Sequence, residues 1–157
     1  MSLDLLENLK KNNSVEVQLE AKDWKEAIKL CINPLINSKV VDQSYIDSII
    51  ESVNENGPYF IIAKNVAMPH SQAEHNVNDN GFSLITLKKE IYFENDSRPV
   101  RVLIGLASNS PDIHISVALP QIVAIFENEE VTKNIVDADS KEKIFEIISK
   151  VDLKKYL

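Results

Sequence analysis

Two histidines carry the chemistry this chain could do. His70 follows Met68-Pro69 and precedes Ser71-Gln72, downstream of the apolar run Tyr59-Phe-Ile-Ile-Ala63 and the connector Lys64-Asn-Val-Ala67, and His114 lies 44 positions further on. Proline restricts its own φ, so the backbone that presents His70 is constrained, and side chains just past a strand end tend to emerge at the rim of a sheet. Imidazole suits a nucleophile near neutral pH because much of it is unprotonated, and one ring nitrogen can attack while a hydrogen bond holds the other. His114 follows Ser108-Asn-Ser-Pro-Asp-Ile113, a helix-start pattern with Ser110 as N-cap and Pro111 at the first helical position. It therefore falls in a first helical turn, where backbone N–H groups and the positive end of the helix dipole favour an anion such as phosphate. The roles divide accordingly. His70 would take a phosphoryl group on a ring nitrogen, and His114 would orient it or donate a hydrogen bond to its oxygens, where transition-state charge develops.

On residue pattern alone this assignment competes with an ordinary one, because a single histidine is more often a surface or satisfied core residue. His75, in the polar stretch from Gln72 to Gly81, is read as merely solvated. Other chemistries find less support. The two histidines are far apart and lack a neighbouring carboxylate signature, so they match no zinc motif, and there is no Gly-rich phosphate loop. Cys31 is the only cysteine, which excludes an intramolecular disulfide and a thiolate metal cluster and fits a reducing compartment.

The 157 residues are about one domain's length, and residues 1–157 are read as a single unit. A domain of this size buries roughly 70% of its unfolded surface, enough for a real core. With 44% hydrophobic and 26% charged residues the composition is that of a globular chain and not a disordered one. A net charge of -7 and a pI near 5.0 argue against nucleic-acid partners, which need clustered Lys and Arg. The first ten residues mix acids with leucines and do not read as a signal peptide, and no run approaches the ~18 apolar residues of a membrane span. These features predict a cytoplasmic protein without direct membrane insertion.

The elements that must position the histidines follow from periodicity. Leu3, Leu5, Leu6 and Leu9 predict a short helix, and Val15, Val17 and Leu19 a half-buried strand. Trp24, Ala27, Ile28, Cys31 and Leu35 recur at helical spacing from Asp23 to about Asn37, with Pro34 expected to bend or end that helix. Asp42 caps the next helix, whose buried stripe is Tyr45, Ile46, Ile49, Ile50 and Val53, and Asn56-Gly57-Pro58 stops it. Tyr59 to Ala63 reads as a strand and Lys64 to Ala67 as a loop leading to His70. Phe82 to Leu87 and Val100 to Ala107 read as strands, with Ile91 to Phe93 between them. Ile115, Ala118, Leu119, Ile122 and Ile125 or Phe126 form the stripe of the helix carrying His114, which Pro120 should kink. A last helix starts near Ser140 and buries Ile144, Phe145, Ile147, Ile148 and Val151. Helices alternating with short apolar strands predict an α/β layered domain.

Five stretches in this order carry a family resemblance: Gly57-Pro-Tyr59, Val66-Ala-Met-Pro-His70, Gly81-Phe-Ser-Leu-Ile-Thr-Leu87, Pro99-Val-Arg-Val-Leu103 and His114. From about Trp24 onward the chain resembles the enzyme IIA domains of the mannitol-fructose class of the bacterial phosphotransferase system, closest to the ascorbate type. The resemblance implies a mixed five-stranded sheet flanked by helices on both faces. It implies a phosphotransferase whose His70 accepts a phosphoryl group from phospho-HPr as tele-phosphohistidine and passes it to a cysteine of an enzyme IIB, with an enzyme IIC permease downstream and His114 stabilising the phosphoryl group. No metal or organic cofactor is implied, and a homodimer is left open. Ascorbate-type members often continue Pro-His with Ala-Arg, whereas Ser71 and Gln72 stand here, so a positive charge beside the phosphoryl group is missing. Ser71 and Gln72 are candidates to stand behind the histidines and support them without touching that group. The alternative reading is a regulatory module of the same fold, whose phosphorylation state a partner protein reads.

Overall fold

In a computed structural model, residues 3–71 and 77–157 are described, except for the side chain of Ile115. Gln72, His75 and the first part of the expected 72–81 loop lie outside the described residues, as does the Ile115 member of the expected helical stripe. Helix α1 (Leu5–Asn12) starts at Asp4, whose side chain accepts from Glu7 N–H, and buries Leu5 and Leu9. Strand β1 (Val15–Leu19) follows. Helix α2 (Trp24–Asn37) is capped by Asp23 and buries Trp24, Ala27, Ile28, Cys31 and Leu35. Pro34 does not end α2 at once, since the helix runs on to Asn37 before Ser38 hydrogen bonds back to the Pro34 carbonyl. Helix α3 (Gln43–Asn56) has the expected Asp42 cap and ends at Gly57, whose φ of 76° lies in the left-handed region that a side chain would disfavour.

The strand expected over Tyr59–Ala63 and the loop after it are instead a tight hairpin of β2 (Ile61–Ala63) and β3 (Asn65–Ala67). Asn65 makes the reversal, with φ 66°, a conformation that Asn tolerates better than most residues. Strand β4 (Gly81–Ile91) is one long element and not two short ones. Its register against β5 (Val100–Ala107) shifts between Thr86 and Ile91, which lets Lys88, Lys89 and Glu90 face solvent before Ile91 returns to pair with Val100. After β5 come the single turn α4 (Pro111–Ile113), a π-helical turn (His114–Ala118), α5 (Leu119–Phe126), α6 (Glu129–Asp137) and α7 (Lys141–Ser149). The sequence reading had no counterpart to α6, which Asn128 caps and which buries Thr132, Ile135 and Val136.

The five strands form one mixed sheet in the order β1-β4-β5-β3-β2. β1 is parallel to β4, β4 antiparallel to β5, β5 parallel to β3, and β3 antiparallel to β2. Alternation along the strands feeds two cores, as the period of two requires. Phe82, Leu84, Val102, Ile104 and Leu106 meet α1, α5, α6 and α7 on one face. Ile85, Leu87, Leu103 and Ala107 meet α2 and α3 on the other. β3 is braced from both sides, Val66 by the first core and Ala67 by the second. Cys31 lies in the second core as a small apolar side chain, and burial pushes its thiol up to about 12. The margins of the sheet are irregular. β2 has three residues, and β1 breaks register near Gln18, whose φ is 55° and whose side-chain amide donates to the carbonyls of Val136 and Ala138. Among the described residues no helix is long and apolar enough to cross a membrane.

Candidate active site

Parallel pairing of β3 with β5 joins Val66 to Val102 and Ala67 to Leu103, so both strands leave the sheet at the same end. β3 runs on through Met68-Pro69 to His70, and β5 runs on through Ser108 to Ser110 into the turn that carries His114. Loops beyond the carboxyl ends of adjacent strands are where α/β sheets place their sites. Here they bring the two rings to a centroid separation of 5.0 Å with planes tilted by 46°.

The chain around His70 is fixed by backbone and tyrosine contacts. Leu106 N–H donates to the Pro69 carbonyl at 3.1 Å, extending the β5 contact one step beyond β3. The Tyr59 hydroxyl donates to the His70 carbonyl at 2.6 Å, and Ser71 N–H donates to the Tyr45 hydroxyl at 3.0 Å. The Tyr45 hydroxyl donates in turn to the Leu106 carbonyl at 2.6 Å. The half-buried imidazole packs edge-on to Tyr59, with centroids 5.4 Å apart and planes at 81°, and lies 6.1 Å from the Phe60 ring.

His70 Nδ1 sits 2.7 Å from the Met68 carbonyl oxygen. A carbonyl only accepts, so Nδ1 must carry the proton, and in the neutral ring Nε2 is left with its lone pair free to attack. Burial pushes the ring below the ordinary histidine range. The Met68 bond opposes that shift, and the His114 charge reinforces it. Burial also lowers His114.

His114 stands fourth in its helix, not among the donor-bearing positions of the first turn. Its own N–H donates to the Ser110 carbonyl at 3.2 Å. Pro111 has no N–H, and that of Ile113 is taken by the Ser110 hydroxyl at 3.1 Å. The backbone cradle for an anion expected from the sequence is therefore mostly spent on capping, and the imidazole is what this helix start offers. The loop before it is pinned by Asn109 N–H donating to the buried Asn80 side chain at 2.9 Å. Pro120 answers to the π turn. A proline N cannot bond back and its ring crowds the carbonyl four residues earlier, and the widened turn directly before it closes through Leu119 N–H to the His114 carbonyl.

Residues 8–151 match the family of the phosphoenolpyruvate-dependent sugar phosphotransferase system, EIIA 2. The chain belongs to that family. A protein of Mycoplasma pneumoniae named ascorbate-specific PTS system EIIA component is 51% identical over 155 residues, covering 99% of this chain and 98% of the relative. A crystal structure described as a PTS IIA (PtxA) from Streptococcus mutans superposes with a TM-score of 0.93 at 39% identity, covering 99% of each chain. The mannitol enzyme IIA of Escherichia coli, solved in complex with phosphorylated enzyme IIB, is 18% identical with a TM-score of 0.75 over 87% of this chain and 94% of that one, and shares the fold alone. As an EIIA component the protein is a phosphotransferase.

Of the residues singled out from the EIIA sequence, His70 and His114 are brought together, Ser71 next to His70 is held through its N–H by the Tyr45 hydroxyl, and Gln72 lies outside the described residues. The roles of Tyr45, Tyr59 and Asn80 were not foreseen. Tyr45 reads as one more member of an aliphatic stripe, and the only sign of its role is that a buried tyrosine hydroxyl must find partners.

Proposed function

We propose that this EIIA accepts a phosphoryl group from phospho-HPr on Nε2 of His70 and passes it to a cysteine of an enzyme IIB, which serves a IIC permease in carbohydrate uptake. The chain works as one unit in the cytoplasm. The observation that carries the reading is the 2.7 Å contact of His70 Nδ1 with the Met68 carbonyl, which leaves the opposite nitrogen as the nucleophile. In the forward step the Nε2 lone pair forms an N–P bond while the donor histidine's N–P bond breaks and its electron pair returns to that donor. In onward transfer a thiolate attacks phosphorus, and the N–P pair returns to Nε2. His114, whose ring lies 5.0 Å from that of His70, is in reach of the phosphoryl oxygens and can donate a hydrogen bond to them where Ser71-Gln72 supplies no positive charge. The mannitol relative's complex with phosphorylated enzyme IIB supports the choice of acceptor protein. The name borne by the relative at 51% identity supports ascorbate as the carbohydrate.

The test is to incubate the protein with enzyme I, HPr and labelled phosphoenolpyruvate and then offer enzyme IIB proteins. The label should resist alkali and fall off in acid, as a phosphoramidate does, and His70→Ala should remain folded and unlabelled. Full labelling of His70→Ala, or an acid-stable label, would overturn the assignment. A histidine label that no enzyme IIB removes would favour the regulatory reading.

A further inference from the structure

The peptide group between His70 and Ser71 is held at both of its polar ends by tyrosine hydroxyls from different parts of the fold. The His70 carbonyl accepts from Tyr59 at 2.6 Å, and the Ser71 N–H donates to Tyr45 at 3.0 Å. In a trans peptide these two groups point in opposite directions, so two separate donors and acceptors are needed to seize both. Tyr45 comes from the first turn of α3 and is fully buried, and Tyr59 comes from the turn before β2 and is 45% exposed.

We propose that Tyr45 and Tyr59 act as a clamp on the His70–Ser71 peptide and so set the direction in which His70 presents Nε2; both are positioning residues, and the inference rests on His70 being the phosphoryl acceptor. The rotation of a peptide plane is the soft motion left to a backbone once its neighbours are fixed. On the N-terminal side the neighbour is fixed, because Pro69 has a restricted φ and its carbonyl accepts from Leu106 N–H at 3.1 Å. Seizing the next peptide at both ends removes that freedom and with it the swing of the His70 Cα–Cβ bond. The ring's own torsions are then limited by the Nδ1 bond to Met68 and by the edge of Tyr59.

Packing alone does not explain the Tyr45 hydroxyl. Its neighbours along the stripe are Ile46, Ile49 and Val53, among which phenylalanine would fill the same space. The oxygen is committed twice, donating to the Leu106 carbonyl at 2.6 Å and accepting from Ser71, so it ties the end of β5 to the acceptor loop. That link matters because β5 also leads to His114. In-line transfer demands an oriented nucleophile, and a misplacement of about 1 Å can cost on the order of a hundredfold in rate.

Tyr45→Phe, Tyr59→Phe and the double variant each delete only oxygen and test the clamp by two readouts. The first is the ring nitrogen chemical shifts of unphosphorylated His70, which report its tautomer without any phosphoryl transfer. The second is the single-turnover rate of acceptance as a function of phospho-HPr concentration. The wild type should show the Nδ1–H form. Each single variant should shift toward a tautomer mixture and lose roughly tenfold in the rate at saturating HPr, with the half-saturating concentration changed by less than about twofold. A double variant that keeps the wild-type tautomer and saturating rate, even at a lowered melting temperature, would overturn the clamp, and so would a loss confined to half-saturation. If Tyr45→Phe fails to fold, the exposed Tyr59→Phe decides by the same two readouts. A wild-type label found elsewhere than on His70 would sink the acceptor assignment, and the tautomer readout would still judge the clamp.

Discussion

In its proposed role as phosphoryl acceptor His70 works only while its ring is neutral, and its surroundings favour that state. Burial lowers both histidines, and a proton on His114 lowers His70 further. As pH falls the first proton should therefore go to His114, leaving a neutral nucleophile beside a cation that can meet phosphoryl oxygens. Acceptance should stay level as pH drops through the usual histidine pKa of about 6.5 and fall only below it; NMR titration of the two rings alongside the transfer rate checks the order. The same shifts bear on stability. An unfolded chain protonates its histidines near 6.5 and the folded one only lower, so the folded state is favoured in full above that pH and loses ground as pH falls through the depressed values. Melting temperature should decline over that range, and less so in His70→Ala. His114→Ala should still accept phosphate, roughly ten- to a hundredfold more slowly, since it removes one charge-stabilising group and not the attacking atom. Equal rates for His114→Ala and wild type would make it a bystander. That both histidines belong to one place was legible in the sequence, because each follows a proline-marked strand or helix boundary, and the structure sets their rings 5.0 Å apart. The tyrosines were not, because a ring in an apolar stripe accounts for itself and hides what its oxygen does.

At the scale of elements the site depends on β5, which stands between β4 and β3 and leads to His114. Gly105 in β5 faces Ser83 across the β4 pairing, under Cys31 of α2. A Cβ there would overlap the Ser83 hydroxyl and lie 3.0 Å from Cys31 Sγ and 3.1 Å from Ile32 Cδ1. Ser83 cannot easily give way, because its hydroxyl donates to the Cys31 carbonyl at 2.6 Å. Gly105→Ala should therefore destabilise the fold by about 1–3 kcal/mol, seen as a lower urea midpoint. An unchanged midpoint would show that α2 can lift off the sheet at little cost. The caps at Asp42 and Ser110, and helix starts near Asp23 and Ser140, could be read in advance because they depend on one local side chain. The β2–β3 hairpin could not, because strands of three residues carry almost no periodicity and the deciding signal is a single left-handed Asn65. Pro120 announced a disturbed helix, but whether the chain would kink or widen depended on how the π turn packs.

For the whole molecule, the order of elements foretold an α/β layering, and the family resemblance supplied the strand count and the mixed sheet. Strand order was not readable from periodicity, because the pairing of β3 with β5 spans a segment whose length places no limit on which strands meet. Two cores on opposite sides of one sheet grip β3 between them, so His70 follows a strand that neither helical layer holds alone. The uneven sheet margins bear on how copies of this chain meet. Strand-to-strand association needs a long, flat row of unpaired backbone groups. One margin here is three residues long, and the other is broken at Gln18 and tethered to the end of α6. Concentrated solutions held near neutral pH should not seed cross-β fibres, and thioflavin fluorescence should stay flat over time. If two copies do pair, they will join through helices and loops, and the sheet of each will end where it ends in one chain.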